Sequence, residues 1–220
     1  ELGAATVSGA SWSYSATVAN GTTYQFNVKE TDLAGNTSNA TSNFAVTGDT
    51  TAPTLSQVTA VTTPTKDRTP VYAFSSDEAG AISYGGCSPG GTSAINGTNS
   101  ISFGTLSDAS YSNCTITVTD SAGNASSPLS VNTFVVDTTA PTVNSVAITS
   151  ASGVQNSLLN AGDNVSVTAT FSETVNVDNS SGNPTITLVV GSDNRTATYT
   201  SGDNSTELVF RYTIQAGDTD

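Results

Sequence analysis

The sequence predicts an all-β protein in which small β-sandwich domains follow one another along the chain. Three observations predict it. The strings "TDLAGN" and "DTTAPT" at residues 31–36 and 49–54 recur, the first as "TDSAGN", 88 residues later at 119–124 and 137–142. Apolar residues alternate with polar ones in many short segments, as in strands with one buried face. The polar residues are mainly Thr, Ser, Asn and Gly, which favour strands and turns over helices.

The repeat divides the chain into three predicted domains. Its period exceeds that of solenoid repeats and is typical of independent small domains. Residues 1–48 are expected to be the C-terminal part of one domain, 49–136 a complete domain, and 137–220 a domain of a different repeat type that lacks its last strand or strands. The linker "DTTAP" is short and contains proline, which restricts its own torsion and that of the residue before it. We therefore expect an extended, rod-like array.

The first predicted domain contains three strands, "SWSYSATV", "TTYQFNVKETD" and "NATSNFAVT". Between them lie two turns, Asn20-Gly21 and "LAGN". Trp12 and Tyr14 alternate with polar residues, which favours packing in a core over a sugar-stacking platform.

The second predicted domain has the strand pattern of an immunoglobulin-like sandwich. Seven short strands, A to G, are expected within it, separated by turns. They are residues 55–61, 70–74, 81–84, 93–95, 100–103, 114–118 and 130–136.

The third predicted domain follows the second "DTTAPT" and contains longer alternating segments. They are "VNSVAITSA", "NVSVTATFSETVNV", "PTITLVV", "NRTATYTS" and "TELVFRYTI". No third "AGN" string occurs, so we expect the late strands of this domain to be missing.

The two cysteines, Cys87 and Cys114, both lie in the second predicted domain. Cys114 is in an alternating strand and Cys87 follows a Gly-Gly turn that a neighbouring strand brings close, so we expect a disulfide. Two buried free thiols are the alternative. A disulfide indicates an oxidising compartment.

Composition excludes several classes of function. The chain has 5 Lys and Arg against 18 Asp and Glu, a formal charge of -13, which opposes binding to nucleic acids and anionic membranes. Without His, neither a His-dependent triad nor an imidazole metal site is possible in this segment. No catalytic motif occurs, so we expect no enzyme. No apolar run approaches the roughly 18 residues of a membrane span.

Several segments resemble the bacterial Ig-like repeats of large secreted surface adhesins. The resemblance lies in "WSYSATVANGTTYQFNVKETDLAGN", "TPVYAFSSDEAGAISYGG" and the "DTTAPT" joints, and the last domain is similar to another repeat type of such proteins. It implies tandem stalk modules at the cell surface that contact neighbouring Ig-like domains of the same chain. It also implies calcium at the joints between domains.

The topology of a seven-stranded sandwich predicts the same metal site independently. The B–C and F–G loops lie at the pole where the chain enters, beside the preceding linker. Oxygen ligands from these three segments suit a hard cation such as calcium. The expected ligands at the first joint are Asp49, Asp77, Glu78, Asp120 and Asn124.

A second, weaker site is expected at the next joint, from Asp137, Asp108 in the E–F turn and Glu173 in a B–C loop. Asp32 and Asn36 of the first copy lack such partners, so we expect no complete site there. Asp, Asn and Gly are also common turn residues, and turn chemistry alone explains the repeated strings equally well.

The sequence therefore predicts a structural stalk segment of an extracellular adhesin-like protein. One alternative is a domain that binds a surface glycan or a protein receptor. Another is a filament subunit that completes its neighbour by strand exchange. The many N-x-S/T strings are glycan acceptors only in a eukaryotic secreted protein.

Overall fold

The computed structural model describes residues 3–8, 11–87 and 90–218 of the chain. These residues form eighteen β-strands and no helix, so the all-β prediction is confirmed, and none of them belongs to a helix that could span a membrane. The chain separates into two compact units, Glu1–Thr138 and Thr139–Asp220.

Four strands precede the first linker, and they are shorter than the sequence predicts. They are β1 (Thr6–Ser8), β2 (Ser11–Ser13), β3 (Thr23–Phe26) and β4 (Phe44–Thr47). Strands β1 and β2 pair only with each other, as do β3 and β4. Trp12 is 56% exposed. The prediction that Trp12 packs in a core is therefore wrong, because its side chain is exposed on the two-stranded sheet of β1 and β2.

Nine strands form the middle of the chain, in two principal sheets. They are β5 (Leu55–Thr59), β6 (Val71–Ser76), β7 (Gly80–Gly85), β8 (Ser93–Ala94), β9 (Gly97–Ser102), β10 (Ala109–Tyr111), β11 (Thr115–Thr119), β12 (Leu129–Ser130) and β13 (Phe134–Val136). One sheet has the order β5-β6-β9 and the other β12-β11-β7-β8, while β10 pairs with β13.

Side chains from both sheets share one buried core, an arrangement consistent with a β-sandwich. Tyr72 and Phe74 of β6 and Ile116 and Val118 of β11 are fully buried in it. Their alternation along each strand matches the period of two in the sequence. Phe134 of β13 is also fully buried and stacks on Phe103.

Strand β10 and the break between β12 and β13 differ from the prediction. The sequence predicts one strand over residues 130–136, but β12 joins β11 while β13 pairs with β10. Asn132 lies between them, and its side chain accepts from the backbone amide of Val61 at 2.9 Å and donates to the Val61 carbonyl at 3.0 Å. These bonds lie at the break, where the chain leaves the sheet of β12 and continues into the pair of β10 and β13.

The predicted disulfide partners, Cys87 and Cys114, are joined, and their Cα atoms are 5.2 Å apart. Cys114 is 2% exposed and belongs to the core. The bond links the segment after β7 to the residue before β11, so it ties two neighbouring strands of the second sheet.

The C-terminal unit is one antiparallel sheet. Its strands are β14 (Val143–Ser152), β15 (Asn164–Val175), β16 (Thr185–Val190), β17 (Asp193–Ser201) and β18 (Ser205–Thr213). Their order is β14-β15-β18-β17-β16. Among the described residues of this unit, no second sheet faces the first. Strand β17 pairs with β16 along its first part and with β18 from Thr198 onward.

Candidate metal centre

Three carboxylates converge where the first linker meets the middle strands. Oxygen atoms of Asp49, Glu78 and Asp120 all lie within 4.8 Å of one another. Asp49 opens the linker, Glu78 lies in the loop between β6 and β7, and Asp120 follows β11. Within the described part of the chain, this is the group of acidic side chains whose spacing suits a metal ion.

Asp120 is fixed by the turn that follows it. One of its carboxylate oxygens accepts from the backbone amides of Ala122 and Asn124 at 2.8 and 2.9 Å. The other accepts from the side-chain amide of Asn124 at 2.8 Å. These bonds, with the Asn124 side chain foremost, lower the pKa of Asp120. The turn chemistry proposed as an alternative is therefore present, and it fixes the position of the Asp120 carboxylate.

Gly80 allows Glu78 to approach Asp120. A Cβ atom at position 80 would collide with the carbonyl oxygen of Thr119 and with a methyl group of Val118. Only a glycine lets the start of β7 lie this close to the end of β11. The loop that carries Glu78 is therefore held beside the turn that carries Asp120.

The electrostatics of the three groups favour a cation. Burial raises the pKa of Glu78, and the negative charges of Asp49, Asp120 and Asp77 raise it further. Ionisation of Glu78 therefore costs more than that of an isolated glutamate, because its carboxylate loses solvent and lies near like charges. A divalent cation would reverse the effect by supplying the missing positive charge.

Asp77 and Asn124 hydrogen-bond to the first linker. The Asp77 carboxylate accepts from the backbone amide of Thr54 at 2.6 Å, so it caps the end of the linker. The Asn124 side chain donates to the carbonyl oxygen of Asp49 at 3.2 Å, across 75 residues of sequence. Both residues thus tie the linker to the middle strands, while Asp49, Glu78 and Asp120 provide the carboxylate oxygens nearest one another.

Of the ligands predicted at the second joint, Asp108 and Asp137 belong to the N-terminal unit and Glu173 to the C-terminal unit. Asp108 forms an ion pair with Arg68 at 3.1 Å and accepts hydrogen bonds from Thr138. Glu173 lies within strand β15 rather than in a loop. A calcium site at this joint stays a prediction. The ion pair of Asp108 with Arg68 was not predicted, because the sequence does not show that contact.

The first copy of the turn, residues 31–36, has the same internal hydrogen bonds as the second. Asp32 accepts from the backbone amides of Ala34 and Asn36 at 2.9 and 2.8 Å and from the Asn36 side chain at 2.9 Å. Hydrogen bonds with Asn36 lower the pKa of Asp32. Among the described residues, the acidic group with metal-ligand spacing is that of Asp49, Glu78 and Asp120, and Asp32 is not part of it.

No model of a known protein family matches the chain, and no curated protein matches it either. The functional interpretation therefore depends on the repeat, the fold and the geometry of the joint.

Proposed function

We propose that the chain is a stalk segment of an extracellular, adhesin-like repeat protein, in which tandem Ig-like domains are joined by short linkers and the first linker is stiffened by calcium. The observation that carries the proposal is the first joint. Its linker is hydrogen-bonded to residues on both sides, and three carboxylates meet beside it.

Two further features support the Ig-like assignment. The first, second and fifth predicted strands share one sheet, and the sixth, third and fourth share the other, with β12 at its edge, which overlaps the last predicted strand at Ser130. This is the pairing of an Ig-like sandwich with an extra strand beside the third. The Tyr111 hydroxyl bonds to the backbone of Ser107 a few residues earlier, as in the tyrosine corner of such domains.

Calcium is the cation that fits this site. The ligands are carboxylate oxygens, without the nitrogen or sulfur that zinc or copper prefers. Backbone carbonyls and water would complete the six to eight oxygens that calcium takes. Extracellular modules bind calcium with dissociation constants of about 0.1 to 1 mM. Such a site fills outside the cell, which agrees with the oxidising compartment that the disulfide indicates.

The test compares the 220-residue chain in chelator and in 10 mM calcium. At about ten times the dissociation constant, binding should stabilise the folded state by about 1.4 kcal/mol. We expect a higher melting temperature and a change in the radius of gyration measured by X-ray scattering. An unchanged melting temperature together with unchanged scattering would refute the calcium-stiffened joint.

The variant Glu78→Gln distinguishes two interpretations of the acidic cluster, a metal site and a set of turn residues that binds no metal. Without metal it removes a charge that its neighbours repel, so its melting temperature in chelator should exceed that of the wild type. In calcium the variant should gain little, because one ligand has lost its charge. Asp32→Asn, in the first copy of the turn, is the matched control and should respond to calcium as the wild type does.

Strand exchange is a second candidate, favoured by β14. This edge strand pairs only with β15, and its residues are exposed on both faces, among them Val146 at 55% and Ile148 at 72%. Edge strands of this kind accept a strand from another molecule. Sedimentation velocity over a hundredfold concentration range tests it, since a chain that stays monomeric throughout would exclude polymerisation.

Glycan recognition by the C-terminal unit has less support. All the aromatic side chains between residues 139 and 218, namely Phe171, Tyr199, Phe210 and Tyr212, lie in the core or pack against it. They are therefore not arranged as an exposed platform on which a sugar ring stacks.

A further inference from the structure

In both copies of the repeat, one side chain of a turn binds the linker that leaves the domain. The Asn20 side chain accepts from the backbone amide of Thr50 at 2.8 Å and donates to the hydroxyl of Thr51 at 2.7 Å. Asp108 stands 88 residues after Asn20, and its carboxylate accepts from the backbone amide of Thr138, 88 residues after Thr50, at 3.1 Å. The same contact thus occurs twice, at equivalent positions.

A tyrosine fixes the residue immediately before each of these side chains. The amide of Ala19 donates to the Tyr24 hydroxyl at 3.0 Å, and the amide of Ser107 donates to the Tyr111 hydroxyl at 3.1 Å. The Tyr111 ring stacks on buried Phe134, with centroids 5.2 Å apart. In the second copy, the position of the linker-binding residue is therefore set by the core.

In the second copy, a positively charged side chain, Arg68, also takes part in these contacts. One guanidinium nitrogen of Arg68 lies 3.1 Å from the Asp108 carboxylate and donates to the Thr138 hydroxyl at 2.8 Å. The Thr138 hydroxyl in turn donates to Asp108 at 2.9 Å. Arg68 thus balances the charge of Asp108 where the sequence suggested a metal ligand.

We propose that these side chains form an exit latch, a metal-independent device that holds the outgoing linker against the domain it leaves. The latch consists of the tyrosine (Tyr24 or Tyr111), the linker-binding residue (Asn20 or Asp108) and the linker threonine (Thr50 or Thr138). Its link to stiffness rests on the proposed stalk function, but the latch itself needs neither calcium nor the acidic cluster. The two devices act at opposite ends of a domain: the carboxylates where the chain enters, the latch where it leaves.

Hydrogen exchange of single backbone amides, measured by NMR on the 220-residue chain in chelator, tests the latch. Asp108→Ala should accelerate exchange of the Thr138 amide about tenfold, because its acceptor is lost. Asp108→Asn should keep the protection, since Asn20 holds Thr50 in the first copy with an amide oxygen. Tyr111→Phe should accelerate the same amide by loosening the turn that positions Asp108.

Three comparisons make the test decisive. Amides of β11 report whether each variant is folded, and Asp178→Ala, in an exposed loop of the other unit, is a control that should leave Thr138 unchanged. Asn20→Ala with the Thr50 amide repeats the test in the first copy. Equal Thr138 exchange in the wild type and in folded Asp108→Ala would overturn the proposal, and so would protection that appears only with calcium. Failure of the calcium site alone would leave these expectations intact.

Discussion

The Asp218 carboxylate accepts hydrogen bonds from three residues that no sequence pattern connects to it. The Tyr212 hydroxyl donates to its carboxylate, the backbone amide of Gln215 donates to it at 2.8 Å, and Arg195 donates at 2.8 Å. These contacts, led by Tyr212, lower the pKa of Asp218 to about 2. The segment after β18 is thereby fixed to β17 and β18.

Removing this charge should make the C-terminal unit less stable in a pH-dependent way. A lowered pKa in the folded state stabilises above the ordinary value of 3.8, and the contribution is lost as pH falls through about 2. In thermal unfolding followed by circular dichroism, Asp218→Asn should melt below the wild type at pH 6, with the gap closing between pH 4 and 2. Asp193→Asn, whose side chain is 58% exposed, should show a smaller gap. A pH-independent gap would contradict the assigned cause.

At the scale of single residues, the sequence predicted Asp49, Glu78 and Asp120 as neighbours, because the topology of a sandwich brings the linker and two loops to one pole. It did not find the partners of Asp108. Arg68 lies 40 residues away, and nothing local marks it as the neighbour of that carboxylate. The equivalence of Asn20 and Asp108 was available as a signal, since the 88-residue repeat aligns them.

At the scale of elements, the close approach of β7 and β11 depends on Gly80. Gly80→Ala should destabilise the N-terminal unit by about 1–3 kcal/mol, because its Cβ would meet the backbone of Thr119. The calcium response should weaken as well, since the loop with Glu78 must move. Denaturant unfolding and calcium melting curves measure the two effects. Gly91→Ala, where a Cβ would make ordinary contact at 3.5 Å with Ile101, should be close to neutral.

The predicted strands agree well with β5 to β9, β11 and β14 to β18, because alternation and turn residues are local properties of the chain. Strand β10 was missed because only three residues pair with β13. The break between β12 and β13 depends on Asn132 bonding to Val61, a contact across 71 residues. No local pattern encodes such a partner.

At the scale of the molecule, the disulfide should supply much of the stability of the N-terminal unit. It closes a loop with a sequence separation of 27 residues, and the chain-entropy model gives about 3.5 kcal/mol for such a loop. A Cys87→Ala, Cys114→Ala double variant should lose about that much in denaturant unfolding. Adding a reducing agent should destabilise the wild type but not the variant. An equal response of both proteins to the reducing agent would show that the bond contributes little.

The sequence by itself determined the all-β class, the 88-residue repeat, most strand positions and the pairing of Cys87 with Cys114. These follow from residue periodicity, turn chemistry and the small number of cysteines. Tertiary structure alone decided which carboxylates meet and which are neutralised. Asp49, Glu78 and Asp120 converge, whereas Asp108 pairs with Arg68. The physical reason is that a carboxylate's role depends on its nearest opposite charge, and the fold, not the local sequence, brings that charge near.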